Sequence, residues 1–108
     1  MVPPTDAKGV LQDVHWSSGY IGYFPTYALG NLLSVQLWEK INKEIPDIEK
    51  QIEKGEFTAL LSWLRNNVHI HGMKYEPQEL SRKITGSPID PQPYIRYLEK
   101  KFSAIYGI

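Results

Sequence analysis

Over the last two-thirds of the chain, apolar residues recur at the three- and four-residue intervals of a helix face. Leu29, Leu33, Leu37 and Ile41 repeat at every fourth position, and Leu32 widens the stripe. This predicts a helix from Thr26 to about Glu44. Gly30 inside it costs about 1 kcal/mol relative to Ala, so a close helix–helix or helix–loop contact is expected there. Pro46 opens a new unit, a short charged helix from Asp47 to Lys54 with Ile48 and Ile52 on one side. Gly55 is placed to end it. Phe57, Leu60, Leu61, Leu64, Val68 and His71 then keep helical spacing as far as Gly72. Pro77 suits the first turn of a helix that carries Leu80 and Ile84 and stops at Gly86. Asp90 reads as an N-cap with Pro91 at the first helical position, ahead of a helix presenting Tyr94, Leu98, Phe102, Ile105 and Tyr106.

The start of the chain breaks this pattern. Pro3 and Pro4 remove backbone donors and disfavour helix, so residues 1–12 are expected to form an extended arm. Gly19, Gly22 and Pro25 interrupt an aromatic run, which suggests a compact loop or a short strand-like piece over 13–26. With no competing strand pattern and no internal repeat, the expected fold is all-α. It has four or five packed helices behind an irregular aromatic-rich N-terminal segment, in a single unit of 108 residues.

Charge sharpens the division. Only Asp6, Lys8 and Asp13 are charged in residues 1–36, whereas five of the 13 aromatics fall between Trp16 and Tyr27. The first third therefore reads as a buried or cavity-lining segment and the rest as exposed amphipathic helices. Twelve basic residues balance twelve acidic ones, which argues against a nucleic-acid partner held by phosphate neutralisation. The absence of cysteine excludes a disulfide scaffold, a thiolate zinc finger and a thiol nucleophile. No apolar run reaches about 18 residues, and no basic-then-apolar leader opens the chain. A soluble cytoplasmic protein, with no membrane partner, is the expectation.

Candidate chemistry concentrates between Gly9 and Asn31. Gln12, Asp13 and His15 lie within four residues, and Tyr20, Tyr23 and Tyr27 follow at offsets of five, eight and twelve from His15. Three phenols and an imidazole are all able to donate to an oxygen that gains charge in a reaction. Asp13 is able to orient or charge an adjacent imidazole. Residue types alone leave a second reading open, in which the histidine and tyrosines only pack and bond to backbone. Elsewhere the signals are weaker. His69 and His71 sit two apart, on nearly opposite sides of a helix, and do not chelate together. Trp38 and Trp63 read as core or interface. No HExxH, GxSxG or phosphate-binding glycine loop is present.

The segment Gly9-Val10-Leu11-Gln12-Asp13-Val14-His15-Trp16 fits GxxQDxHW, and Gly22-Tyr23-Phe24-Pro25-Thr26-Tyr27 and Leu29-Gly30-Asn31 follow it. Together they resemble the C-terminal region of the carboxypeptidase Taq family, thermostable zinc metallocarboxypeptidases. The resemblance continues through Trp63-Leu64-Arg65, His69-Ile70-His71-Gly72, Thr85-Gly86 and Tyr97-Leu98-Glu99-Lys100-Lys101-Phe102, and spans about Gly9 to Tyr106. It implies a helical, typically dimeric enzyme that removes C-terminal residues from peptides one at a time. It also implies a zinc held by an HExxH helix and a further glutamate, parts this chain lacks.

The resemblance therefore implies a C-terminal portion, roughly the last fifth, with residues 9–31 as the substrate-site segment and 32–106 as the helical part. Such a portion holds no metal or other cofactor of its own and is expected to be inactive alone. By a more distant likeness to zinc oligopeptidases, His15 would contact substrate near the zinc. Tyr27, with Tyr23 or Tyr20, would donate to the carbonyl oxygen as it becomes an oxyanion. Asp13 would fix His15, and Gln12 would bond substrate backbone or close the loop. The partners implied are a peptide substrate and either a second copy or a catalytic chain. The alternative is a non-enzymatic helical interaction or oligomerisation module.

Overall fold

A computed structural model describes residues 2–108. Among them every regular element is helical, as the periodicity requires. The α-helices are α1 (Val14–Ser17), α2 (Pro25–Glu44), α3 (Ile48–Glu53), α4 (Thr58–Asn67), α5 (Pro77–Thr85) and α6 (Gln92–Tyr106). Short 3-10 turns occupy Asp6–Lys8, Val10–Gln12 and His69–His71.

The stop signals act largely where the sequence puts them. α2 ends at Glu44, and the Ile45 N–H closes the last turn onto Ile41 O just before Pro46. Gly86 follows α5 in the left-handed region at φ +89°, where its N–H reaches Arg82 O. The α6 cap is shifted by one position. Pro91 occupies the cap site, while Asp90 Oδ1 accepts from the Gln92 N–H at 3.0 Å.

Four expectations are corrected. The expected extended arm over 1–12, of which Met1 lies outside the described residues, is instead largely two 3-10 turns. Thr5 Oγ1 accepts from the Lys8 N–H at 3.3 Å and starts the first 3-10 turn, and the second follows directly. The loop expected over 13–26 contains the one-turn helix α1, a sixth helix inside the N-terminal segment; the other five lie behind that segment, within the four or five expected there. The Phe57–His71 periodicity covers two elements, because α4 stops at Asn67 and a 3-10 turn takes over. Gly30 meets no atom within 4 Å of where a Cβ would stand, so no close contact explains it within this chain.

The core is small and lies at one end. Ile41, Ile48, Trp63 and Ile84 are buried, and Leu37, Trp38, Ile45, Ile52, Leu60, Leu64, Val68 and Leu80 pack against them. These residues come from the C-terminal half of α2 and from α3, α4 and α5. Trp63 Nε1 donates to Glu44 Oε2 at 2.5 Å, and Lys40 Nζ holds the other carboxylate oxygen at 2.9 Å. Gln36, also buried, ties α2 to the α5–α6 connection. Its amide donates to Thr85 Oγ1, Ser87 Oγ and Pro88 O, and its oxygen accepts from the Asp90 N–H.

Against this, the first third is exposed rather than buried: Val10, Leu11, Val14, Trp16, Tyr20, Ile21, Tyr23, Phe24, Tyr27 and Leu29 all face outward. The radius of gyration is 18.1 Å, whereas a compact domain of this length has about 13 Å. The low charge density of residues 1–36 marked an apolar surface, and this chain alone does not cover it.

Candidate functional site

Asp13 is the N-cap of α1, and that role aims its carboxylate. Oδ1 accepts from the His15 backbone N–H at 2.8 Å, and the same oxygen lies 2.5 Å from His15 Nδ1. The chain then turns back. Gly19, at φ +74°, permits the reversal, and the Tyr20 N–H closes it onto His15 O at 2.8 Å. Pro25 starts α2, whose first turn carries Tyr27 back over the imidazole. His15 Nε2 lies 2.8 Å from Tyr27 Oη. The twelve-residue offset is thus the return length of one helical turn, a loop and the start of a second helix.

Rings complete the cluster. Tyr23 stacks on His15 at 5.4 Å between centroids and 22° between planes. Phe24 lies 5.1 Å from His15, and the Tyr27 ring meets it edge-on at 5.6 Å and 88°. Tyr20 touches the margin through Tyr23 at 5.9 Å. The His15 side chain is only 17% exposed, yet Tyr27 is 51% exposed. The histidine is enclosed by its own neighbours, and the phenol is the part a ligand meets. The Asp13 carboxyl is held below its ordinary range, first by the His15 backbone N–H and then by the His15 ring.

The structure brings Asp13, His15, Tyr23 and Tyr27 together, with Tyr20 beside them. It leaves out Gln12, whose amide donates to Ala7 O at 2.7 Å and closes the preceding turn. Phe24 and Trp16 belong to the cluster and were passed over as apolar, although both lie inside the quoted motifs. Gln36 was missed too. Its only signal was a polar residue on the stripe that runs through Leu29, Leu32 and Leu33.

The donor set does not suit a metal ion. Among the described residues no group of three His, Cys, Asp or Glu side chains converges. The cluster offers one carboxylate and one imidazole, already bonded to each other, and His71 packs edge-on against Tyr75 at 5.3 Å. The cluster is an open face, with Tyr23, Phe24 and Tyr27 all exposed. An open cleft of about 960 Å³ lies between α2 and α6, lined by Trp38, Tyr97 and Lys100 among others, and no cluster residue borders it.

The open face thus displays a phenol bonded to an Asp–His pair, with no converging ligand set among the described residues. The sequence profile described as carboxypeptidase Taq (M32) metallopeptidase matches residues 1–102, and the chain belongs to that family. It is 44% identical over 107 residues to thermostable carboxypeptidase 1 of Thermus thermophilus, covering 98% of this chain and 21% of that protein. It is 44% identical over 100 residues to thermostable carboxypeptidase 1 of Pyrococcus furiosus, covering 93% of this chain and 20% of that protein. Among solved structures, the M32 carboxypeptidase of Deinococcus radiodurans R1 superposes with a TM-score of 0.85 at 37% identity, covering all of this chain and 22% of that one. The chain spans about a fifth of the relatives it matches.

Proposed function

We propose that this chain is the C-terminal portion of a zinc metallocarboxypeptidase and supplies one wall of its substrate site. The observation that carries the reading is the Asp13–His15–Tyr27 chain, displayed on an uncovered aromatic face by a member of a metallopeptidase family. Tyr27 donates to the peptide carbonyl oxygen as it takes on charge. A phenol aimed at that oxygen bonds more strongly in the transition state than in the ground state. His15 and Asp13 hold Tyr27, Tyr23 stacks on His15, and Tyr20 borders the substrate path, while Gln12 closes the preceding turn. The zinc and the glutamate that acts as base are supplied from elsewhere, since among the described residues no group of three His, Cys, Asp or Glu side chains converges.

Ten outward-facing apolar side chains in the first third need a cover. The body that carries the metal provides it, either in one longer polypeptide or by docking of two chains. The setting is cytoplasmic, and no helix among the described residues is long and apolar enough to cross a membrane.

A second reading rests on α6. Ile95, Tyr97, Phe102, Ile105 and Tyr106 are exposed along it, which suits a helical module that self-associates. Zinc stoichiometry and C-terminal residue release by the purified chain test the first reading. No tight zinc and no release are expected, and stoichiometric zinc with peptidase activity would overturn it. Light scattering tests the second, which a monomer at every concentration removes.

A further inference from the structure

His15 is a junction whose hydrogen-bond directions are fixed by one neighbour. The Asp13 carboxylate only accepts, and its Oδ1 sits 2.5 Å from Nδ1. Nδ1 therefore carries the hydrogen of the neutral ring. Nε2 is then a bare lone pair, 2.8 Å from Tyr27 Oη. Two acceptors do not bond to each other, so the Tyr27 hydroxyl donates inward to His15. Its single hydrogen is engaged, and its oxygen turns lone pairs toward the open side.

A proton added to Nε2 reverses this bond. Both ring nitrogens then donate. Tyr27 Oη accepts from Nε2–H, and its own hydrogen rotates outward to a ligand oxygen. One proton enters from solvent at Nε2, no covalent bond of the tyrosine changes, and the imidazolium rests against the Asp13 carboxylate. We infer that His15 is a positioning residue that acts through Tyr27: its charge sets whether the Tyr27 hydroxyl presents a lone pair or a hydrogen to a bound carbonyl or oxyanion. This rests on the proposed role of Tyr27 for the identity of the ligand, but not for the reversal itself.

The surroundings suit a two-state junction. Asp13 is the one charged side chain bonded to the ring, and it belongs to the cap of α1. The loop before α2 contributes the Tyr23 phenol and, beyond it, Tyr20, and α2 contributes Tyr27. Phe24 covers the remaining side, and the Val10–Gln12 turn that packs on α1 brings no titratable group. Both His15 nitrogens are occupied, so the ring reaches a ligand only by way of the phenol.

The test uses the chain itself, with histidine nitrogens and tyrosine ring carbons observed by NMR across pH. With His15 neutral, the multiple-bond pattern should show the Nδ1–H tautomer. Tyr27→Phe should keep that tautomer and move the Nε2 shift to that of an unbonded nitrogen. Asp13→Ala should shift the ring toward Nε2–H. As His15 takes up a proton, the Tyr27 Cζ shift should inflect at the same pH, and that of Tyr94 on α6 should not. An Nε2–H tautomer in the parent chain would overturn the inference, and so would a flat Tyr27 Cζ trace. Met73→Ala, at a fully exposed side chain outside the cluster, should preserve both signatures and serves as a folding control. If the signatures hold yet Tyr27→Phe costs a reconstituted peptidase nothing, the proposed function fails while the junction stands.

Discussion

The two ends of this molecule treat the same residue types in opposite ways. Around Trp63 the apolar side chains of four helices enclose one another, and their polar atoms are paired within the chain: Trp63 Nε1 on Glu44, and Gln36 on Thr85, Ser87, Pro88 and Asp90. Around His15 both imidazole nitrogens are paired, with Asp13 and Tyr27, but the rings are left in the open. The helical end is finished by its own chain. The aromatic end has its imidazole bonded on both sides and its rings exposed. On the proposed function, that difference separates a stability core from a face completed by other structure.

Substitutions should register the contrast. Trp63→Ala should cost about 3–5 kcal/mol in denaturant unfolding, because it empties a buried site and leaves Glu44 without its indole donor. Trp16→Ala, on the open face, should cost under about 1 kcal/mol in the same measurement. Equal losses would erase the distinction between the two ends. Gln36→Ala should cost about 1–3 kcal/mol, since it strands the hydroxyl of Ser87 and the N–H of Asp90. A neutral result would mean that this junction does not hold α2 to the α5–α6 connection.

Acid should act at both ends through carboxylates held below their ordinary range. Glu44 is lowered first by Lys40 and then by Trp63, and Asp13 is lowered by the His15 backbone N–H and ring. A depressed carboxylate stabilises the fold above its unfolded value, and the contribution is lost as pH falls through the folded one. Stability should therefore be steady at neutral pH and decline below the usual carboxylate range. Glu44→Gln should flatten that decline, and an unchanged acid limb would show that the Lys40–Glu44–Trp63 bonds do not matter. Both groups are well exposed, so the effect is modest.

The smallest effect is also the most discriminating. Gly30 has open space around it in this chain, so Gly30→Ala should stabilise the isolated protein by up to about 1 kcal/mol. If the cover packs close to α2, as the aromatic face implies, the same change should weaken docking of the metal-bearing body. A gain in both measurements would place that contact elsewhere.

The sequence made the helical end legible because its signals are local. Leu29 to Ile41 mark a stripe, while Pro46, Gly55, Gly72 and Gly86 mark stops, and each acts within a turn or two of its own position. The all-α architecture and five of the six helices follow from that. α1 did not, because four residues are too few for a period and its cap, Asp13, was read as a partner for His15 alone. It turned out to be both. The site residues were legible as a cluster of donors, but their bonding was not. Spacing does not reveal that Tyr27 folds back onto Nε2 while Gln12 turns away to Ala7. The first third reads as buried or cavity-lining, and the sequence leaves that choice open for a physical reason. Few charges and many rings mean apolar surface, and composition does not say whether this chain or another covers it.

The central claim is that the open aromatic face completes a peptidase site whose metal lies outside these residues. Reconstitution tests it most directly. The chain is mixed with a form of the Thermus thermophilus relative that lacks the matching fifth of its length, and release of C-terminal residues from a peptide is followed. Neither component alone should release residues, and the mixture should. Tyr27→Phe should slow the mixture about 100- to 1000-fold, the usual cost of one oxyanion donor, without weakening assembly. Release by the chain alone, or an assembled mixture indifferent to Tyr27→Phe, would contradict the account.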